Sequence, residues 1–272
     1  MASAASSGHA MQAMGRLCRH AGENVWRAGL EFVFPTACPF CNDAQMEMSA
    51  AARSEPNLCR DCRQAMLAGE KDLCLRCGAP VGPHLDTAAG CYHCRNDRFV
   101  FESVACIGAY QDSLRSACLS AKLRGNQPLA AALAVLLWEK SQDLLPTTEF
   151  AVVLPVPQHW SRRIQRCQHP ATIVAQVLAR RLQVPFYKNI LCKVRRTPAQ
   201  TVLPAGRRRA NLRGAFRVRG GAMLQGSSVL LVDDILTTGT TANQAAKSLR
   251  SAGVARVTVA VLARGLGKPS RG

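Results

Sequence analysis

The stretch VLLVDDILTTGTTANQA, Val229 to Ala245, decides the fold. Its opening residues, Val229 to Val232, are all apolar, the pattern of a strand covered on both faces. Two adjacent acids follow, Asp233 and Asp234, then a threonine-rich turn around Gly239 and the start of a helix. Parallel sheets with helices on both sides are built from such units, and their ligands bind beyond the carboxyl ends of the strands. Thr237, Thr238, Gly239, Thr240 and Thr241 offer hydroxyls and backbone amides at a helix N-terminus, whose dipole favours an anion such as phosphate. The two carboxylates would repel that phosphate, so they must face another part of the ligand. A vicinal diol suits them, because each hydroxyl can donate to a carboxylate. The pattern therefore predicts a sugar phosphate. The competing reading, in which the acids only cap the helix, requires one cap residue and leaves the second acid unexplained.

Working outward, strands and helices alternate from residue 101 onward. SVACIGAY (Ser103 to Tyr110), FAVVLPV (Phe150 to Val156), SVLLVD (Ser228 to Asp233) and ARVTVAVLA (Ala255 to Ala263) read as strands. Between them lie one broken helix or two, interrupted at Gly125 and Pro128, then a helix opened by Pro170 and another stopped by Gly253. The expected division is a helical or flexible segment over 1–30, a cysteine-rich module over 31–100, the α/β domain over 101–265 and a flexible tail over 266–272.

Eight of the 13 cysteines form four CxxC pairs, Cys38/Cys41, Cys59/Cys62, Cys74/Cys77 and Cys91/Cys94. A two-residue gap lets both sulfurs reach one tetrahedral ion, and two pairs close a structural zinc site, so eight thiolates make two sites. Disulfides are not expected without a secretion signal, and redox CxxC motifs do not come four in a row. Sequential and interleaved pairings have the same composition and both stay open. Gly78 and Gly90 suit tight turns beside the ligands, and the segment is too poor in large apolar residues to fold without metal. Cys18, Cys106, Cys118, Cys167 and Cys192 lack this spacing and read as small buried residues or spare thiols.

Charge divides the chain at the same place. Residues 1–100 hold 10 basic and 10 acidic side chains, while residues 101–272 hold 25 and 7, which accounts for the whole net charge of +18. From Phe150 to Val232 there are 15 basic residues and no acid, a balance that points to a polyanionic ligand or nucleic acid. The longest apolar run, Leu129 to Trp138, is half of a bilayer span, and the first residues lack a signal peptide's continuous apolar region. A soluble, cytoplasmic protein with no membrane insertion is expected.

LLVDDILTTGTT, Leu230 to Thr241, resembles the signature of type I phosphoribosyltransferases, which bind phosphoribosyl pyrophosphate (PRPP) with a metal, usually magnesium. The resemblance implies that Asp233 and Asp234 hold the ribose hydroxyls and that Thr237 to Thr241 cradle the 5-phosphate. Purine-salvage members carry a third acid where this chain has Thr237, which argues against a purine acceptor of their kind. The match narrows to the ComF family of competence-related proteins. FPTACPFC (Phe34 to Cys41) resembles the opening of its zinc ribbon, and LPVP (Leu154 to Pro157) its first ligand loop. QTVLPAGRRRANLRGAF resembles its flexible segment, with Gln200, Leu203, Arg208, Asn211 and Phe216 on matching positions. After Arg166 the family usually continues Gly-Phe-Asn-Gln, whereas this chain reads Cys167-Gln168-His169-Pro170. The loop beside the pyrophosphate thus lacks a permissive glycine and an amide, and His169 is a substitute donor there or a helix-entry surface residue.

If transfer occurs, the protein's task is to neutralise the leaving pyrophosphate. Arg166, Arg195, Arg196 and Arg208 are the basic residues expected there, with Arg162, Arg163, Arg207 and Arg209 beside them; Pro198, Pro204 and Gly206 mark a mobile lid. Two functions follow from the resemblance and the charge. One is a DNA-uptake protein that binds PRPP and single-stranded DNA and works with uptake-machinery proteins. The other is an active phosphoribosyltransferase with an unidentified base or amine as acceptor. Seven or more arginines exceed what one small ligand needs, which favours DNA; an aromatic content of 5% counts against it, because single-strand binders stack bases on aromatic side chains. Trp160, Tyr187 and Phe216 are the aromatics nearest the basic stretch, and Phe216 reads as core.

The four CxxC pairs generate a direct prediction. Elemental analysis of purified protein should give two zinc ions per chain, and a value of one or none contradicts the ribbon reading.

Overall fold

A computed structural model describes residues 37–43, 56–68, 72–87, 89–146, 149–157, 169–195 and 214–266. The chain divides into two compact units, Met1–Cys38 with Asn42–Glu47, and Pro39–Cys41 with Met48–Gly272. The expected helical segment at 1–30, the tail from 267 and the arginine-rich segment 196–213 lie outside the described residues.

The larger unit carries a four-stranded parallel sheet in the order β1 (Ser103–Ala109), β6 (Arg256–Arg264), β5 (Ser228–Leu236), β2 (Val152–Pro155). In β5 the residues from Val229 to Val232 are all buried because both faces are covered. Alternation splits them. Val229 and Leu231 join Val104, Cys106, Val257, Val259 and Val261 in the core shared with helix α5 (Thr240–Ser251). Leu230 and Val232 point to the opposite face, where α4 (Pro170–Leu182) packs on β2 and β5. Helix α3 (Gln127–Lys140) packs on α4 and β1, and its Leu129, Ala130 and Ala132 to Leu137 are all buried. It is accordingly apolar almost all round.

The expected helix break is real: α2 (Asp112–Ser120) ends before Gly125, and α3 begins beside Pro128. Pro170 stands at the first position of α4, where its missing N–H removes no hydrogen bond. A small antiparallel pair of β3 (Leu191–Lys193) and β4 (Phe216–Val218) has no counterpart in the sequence reading. Its strands are three residues long, too short for a period of two to register. Phe216 is buried in the α5-side core, as expected, and Tyr187 is exposed. The earliest helix among the described residues, α1 (Arg60–Leu67), follows Cys59 and is capped by it, the Cys62 N–H donating to Cys59 Sγ at 3.4 Å.

The second cysteine-rich loop docks on this sheet. The Val104 N–H donates to the Leu75 carbonyl at 2.8 Å, and the Cys106 thiol to the Gly78 carbonyl at 3.3 Å. Gly78 has φ +69, and a Cβ there would stand 2.9 Å from Cys106 Sγ. Conformation and contact both demand glycine. Gly78→Val should therefore cost about 1–3 kcal/mol through strain and overpacking. Urea denaturation checks it, and a loss below measurement error would show that the ribbon is not seated on β1.

Candidate functional site

The acidic pair stands at the carboxyl end of β5, as the sequence reading requires, and neighbouring strand residues point to opposite faces. The Asp234 N–H donates to Asp233 Oδ1 and the Ile235 N–H to Asp234 Oδ1, each at 2.9 Å. Neither carboxylate caps α5. The cap position is Gly239, in the left-handed region at φ +69 and without a side chain of its own to cap the helix. The Thr240 N–H donates to Thr238 Oγ1 at 3.4 Å, and the dipole of such a helix start favours an anion.

Lys122 and His169 converge on Asp234. Lys122, just after α2, places Nζ 2.8 Å from Asp234 Oδ2, and His169 Nε2 lies 3.9 Å from the same oxygen. His169 also caps α4, its Nδ1 accepting from the Ala171 N–H at 3.3 Å. His169 thus opens the helix, and its largely buried ring faces Asp234 instead of lying on the surface. Burial opposes ionisation of both acids, but the outcomes diverge. For Asp234 the neighbouring His169 and Lys122 outweigh burial and hold its carboxyl below the usual range. Asp233, buried beside an ionised Asp234, is pushed well above it. Burial and mutual repulsion thus split the pair, one carboxyl moving up and the other down. The same surroundings push the Cys118 thiol up to about 12, through burial first and Asp234 second.

A buried cation stands behind the turn. Arg264, at the end of β6 and 5% exposed, directs Nη1 at the carbonyls of Leu236, Thr237 and Gly265. Because a trans peptide sets C=O and N–H on opposite sides, this grip turns the N–H groups of Thr237 and Thr238 away from the arginine. Its Nε is buried without a partner, and among the described residues no carboxylate pairs with it. The Thr238 and Thr240 hydroxyls lie 2.8 Å apart within the turn. A cleft of about 250 Å³ opens beside it, lined by Asn96, Arg98, Gln244 and Lys247 among others. Dipole, threonines and an uncompensated guanidinium give this end of the sheet the character of an anion seat.

Of the other expected site residues, Arg195 follows β3 and is exposed, while Arg166, Arg196 and Arg208 lie outside the described residues. So do Arg162, Arg163, Arg207, Arg209, Cys167 and Gln168 of the same segments. Lys122 and Arg264 were not singled out in the sequence. Lys122 sits in a loop between helices, 112 positions before its acid, and Arg264 ends an otherwise apolar strand, so neither carries a local signal.

The cysteines resolve the pairing. Cys74, Cys77, Cys91 and Cys94 are all buried, with sulfurs within 4.8 Å of one another. Sulfur separations of 3.8 Å for Cys74 and Cys94, 3.6 Å for Cys77 and Cys91, and 4.0 Å for Cys91 and Cys94 surround one point. A tetrahedron with zinc–sulfur arms of about 2.3 Å has edges of about 3.8 Å. The donor set fits zinc. Burial pushes the Cys77 thiol far up and Cys94 up to about 11, so these sulfurs become thiolates only if a cation supplies the charge. Sequential pairing therefore holds for this set and leaves Cys38, Cys41, Cys59 and Cys62 as the other. Within the larger unit, Cys41 and Cys59 have sulfurs 3.7 Å apart. In the smaller unit, Cys38 opens a turn in which the Asn42 N–H donates to its carbonyl at 2.8 Å. Cys106 and Cys118 are buried and Cys192 is half-buried, as expected of residues outside the clusters; Cys18 lies outside the described residues.

A double zinc ribbon followed by a phosphoribosyltransferase-type sheet is the class these features define. Residues 29–95 match the double zinc ribbon domain and residues 167–271 the phosphoribosyl transferase domain. Competence protein F of Haemophilus influenzae is 30% identical over 211 residues, 76% of this chain and 90% of that protein. The DNA utilization protein YhgH is 31% identical over 222 residues in Salmonella typhi and 28% over 229 in Escherichia coli strain K12, covering 93% and 98% of those proteins. The chain belongs to the ComF family, that of competence protein F and YhgH. Among solved structures, the glutamine PRPP amidotransferase of B. subtilis matches 49% of this chain and 26% of its own at 23% identity and a TM-score of 0.33.

The acidic pair generates a pH prediction. The Asp233 carboxyl has a raised pKa when folded and an ordinary one, near 3.8, when unfolded. Its contribution to stability is full below pH 3.8 and is lost as pH rises through the folded value. Asp233→Asn should raise the melting temperature at pH 7 by about 2–4 °C and leave it unchanged near pH 3.5. Differential scanning fluorimetry at the two pH values decides; a lower melting temperature at pH 7 contradicts the assignment.

Proposed function

We propose that the protein binds PRPP through Asp233, Asp234 and the Thr237–Thr241 turn, engages single-stranded DNA along its basic surface, and serves DNA uptake or utilisation. The observation that carries this reading is the end of β5, where an acid pair and a threonine-rich, glycine-led helix start stand side by side. The acids would accept from the two ribose hydroxyls, and the turn would take the 5-phosphate. Magnesium would come with the ligand rather than be held in a protein cage, with Asp233 and Asp234 as the oxygen donors facing it; it would neutralise the diphosphate. Zinc in the ribbons is structural.

The DNA part rests on charge and kinship. Fifteen basic residues without an acid between Phe150 and Val232 supply a surface for phosphodiesters, to which Arg98 and Lys247 at the cleft add. The relatives are named for competence and DNA utilisation. On this reading the protein works in the cytoplasm, alongside the proteins that bring the strand in; among the described residues no helix is long and apolar enough to cross a membrane. Active transfer of phosphoribose to a base or amine is the second reading. Lys122 favours it, because a cation poised at the ribose-facing acid could pass to a departing diphosphate.

Two experiments test the proposal. Asp233→Asn with Asp234→Asn keeps the shape of both side chains and should remove PRPP binding in calorimetry, since the lost charge-assisted hydrogen bonds count roughly 1.5–3 kcal/mol each. Unchanged affinity would make the acids structural. For DNA, affinity should fall with salt at about −0.7 per neutralised phosphate, and replacing Arg207, Arg208 and Arg209 with alanine should flatten the slope by roughly two units. No complex at micromolar protein and moderate salt would leave the transferase reading.

A further inference from the structure

The phosphate turn has a second support, and it comes from the cysteine-rich loop. Phe99, five residues after Cys94, packs against the buried Cys74, Cys77, Cys91 and Cys94 and also against the α5-side core of the sheet. Its ring, stacked on Phe101 at 4.6 Å between centroids, stands against Gly239, where a Cβ would lie 2.8 Å from Phe99 Cε1. From α5, Asn243 closes the junction. Its Oδ1 accepts from the Val100 N–H at 2.8 Å, and its Nδ2 donates to the Arg98 carbonyl at 3.2 Å. Inside the loop, Arg76, between Cys74 and Cys77, donates to the Asp97 carbonyl at 2.7 Å. An unbroken path of packing and hydrogen bonds thus joins the cysteine cluster to the turn.

We infer that Phe99 and Asn243 are positioning residues that make the shape of the Leu236–Thr241 turn, and hence its affinity for a phosphate-ended ligand, depend on an intact Cys74–Cys94 ribbon. The ligand half of this inference rests on the phosphate reading of the turn; the structural half does not. The physical basis is asymmetry of support. Arg264 holds the turn's carbonyls from the sheet side, while the ribbon side is held by one aromatic contact and one carboxamide clasp. A four-thiolate ribbon is ordered by its metal rather than by a core of its own, so withdrawing the metal releases the segment that carries Phe99, Arg98 and Val100. With these contacts gone, Gly239 keeps its freedom and loses its wall, and the turn samples more conformations. The affinity of a ligand that needs one of them falls in proportion.

The test uses the full chain and reads the turn directly. Hydrogen exchange is followed by mass spectrometry on wild type, on wild type after metal withdrawal with a chelator, and on metal-loaded Asn243→Ala and Asn243→Asp. Chelation and Asn243→Ala should each speed exchange over 237–241 by about tenfold while 229–235 and 257–263 hold their rates. Asn243→Asp, which keeps the acceptor for Val100 and loses the donor to Arg98, should fall between. Ribose 5-phosphate affinity should drop about tenfold in the same two cases. If chelation loosens 72–101 and leaves 237–241 within about twofold of its rate, the coupling is wrong. Acceleration spread equally over 229–235 and 257–263 would also overturn it, because that marks general destabilisation. Should Asn243→Ala fail to fold, chelated wild type decides. Wild type that takes up no ribose 5-phosphate would remove the phosphate reading, while the exchange data still decide the coupling.

Discussion

The ion pair between Lys122 and Asp234, 2.8 Å long and largely withdrawn from water, sets the terms for the rest of the site. Two carboxylates on adjacent residues at the end of a buried strand cannot both stay ionised without nearby positive charge. Lys122 supplies it beside His169, and together they hold the Asp234 carboxyl low, while Asp233, hydrogen-bonded to Asp234, is pushed up. Each of the two partners is placed by a different helix. Lys122 follows α2, and His169 is fixed by capping α4. The charge state of the strand end is therefore a property of the helices that place them.

Beyond the acids, the turn to α5 is arranged for the opposite sign of charge. Arg264 turns its carbonyls inward, and Gly239 allows the backbone to pass beneath the Phe99 ring. Buried arginine without a carboxylate is unfavourable in an empty protein, and an anion at the turn would relieve it. Acid pair and turn, a few residues apart, both lie in the stretch that matches the phosphoribosyl transferase domain.

Much of this was legible in sequence because it is local. Val229 to Val232 announce a doubly covered strand, the Asp-Asp and threonine-glycine run follows without interruption, and the CxxC pairs have a spacing only metal binding explains well. What escaped was long-range. Asn243 meets Val100 across 143 positions, and Lys122 meets Asp234 from a loop whose composition is unremarkable for a helix link. Phe99 reads as one more aromatic after a cysteine cluster until the sheet places Gly239 under its ring. The two pairings of the CxxC units were indistinguishable in one dimension, since only the fold brings Cys74, Cys77, Cys91 and Cys94 to one point.

The central claim is that burial and their neighbours split the two acids of β5, raising the Asp233 carboxyl and lowering that of Asp234. Carbon-13 resonances of the aspartate carboxyls report it directly, with Asp233→Asn and Asp234→Asn supplying the assignments. The account predicts one carboxyl titrating well above the ordinary aspartate range and one below it, with the higher titration moving down when PRPP and magnesium are added. Two aspartates titrating in the ordinary range, with no response to the ligand, would contradict it.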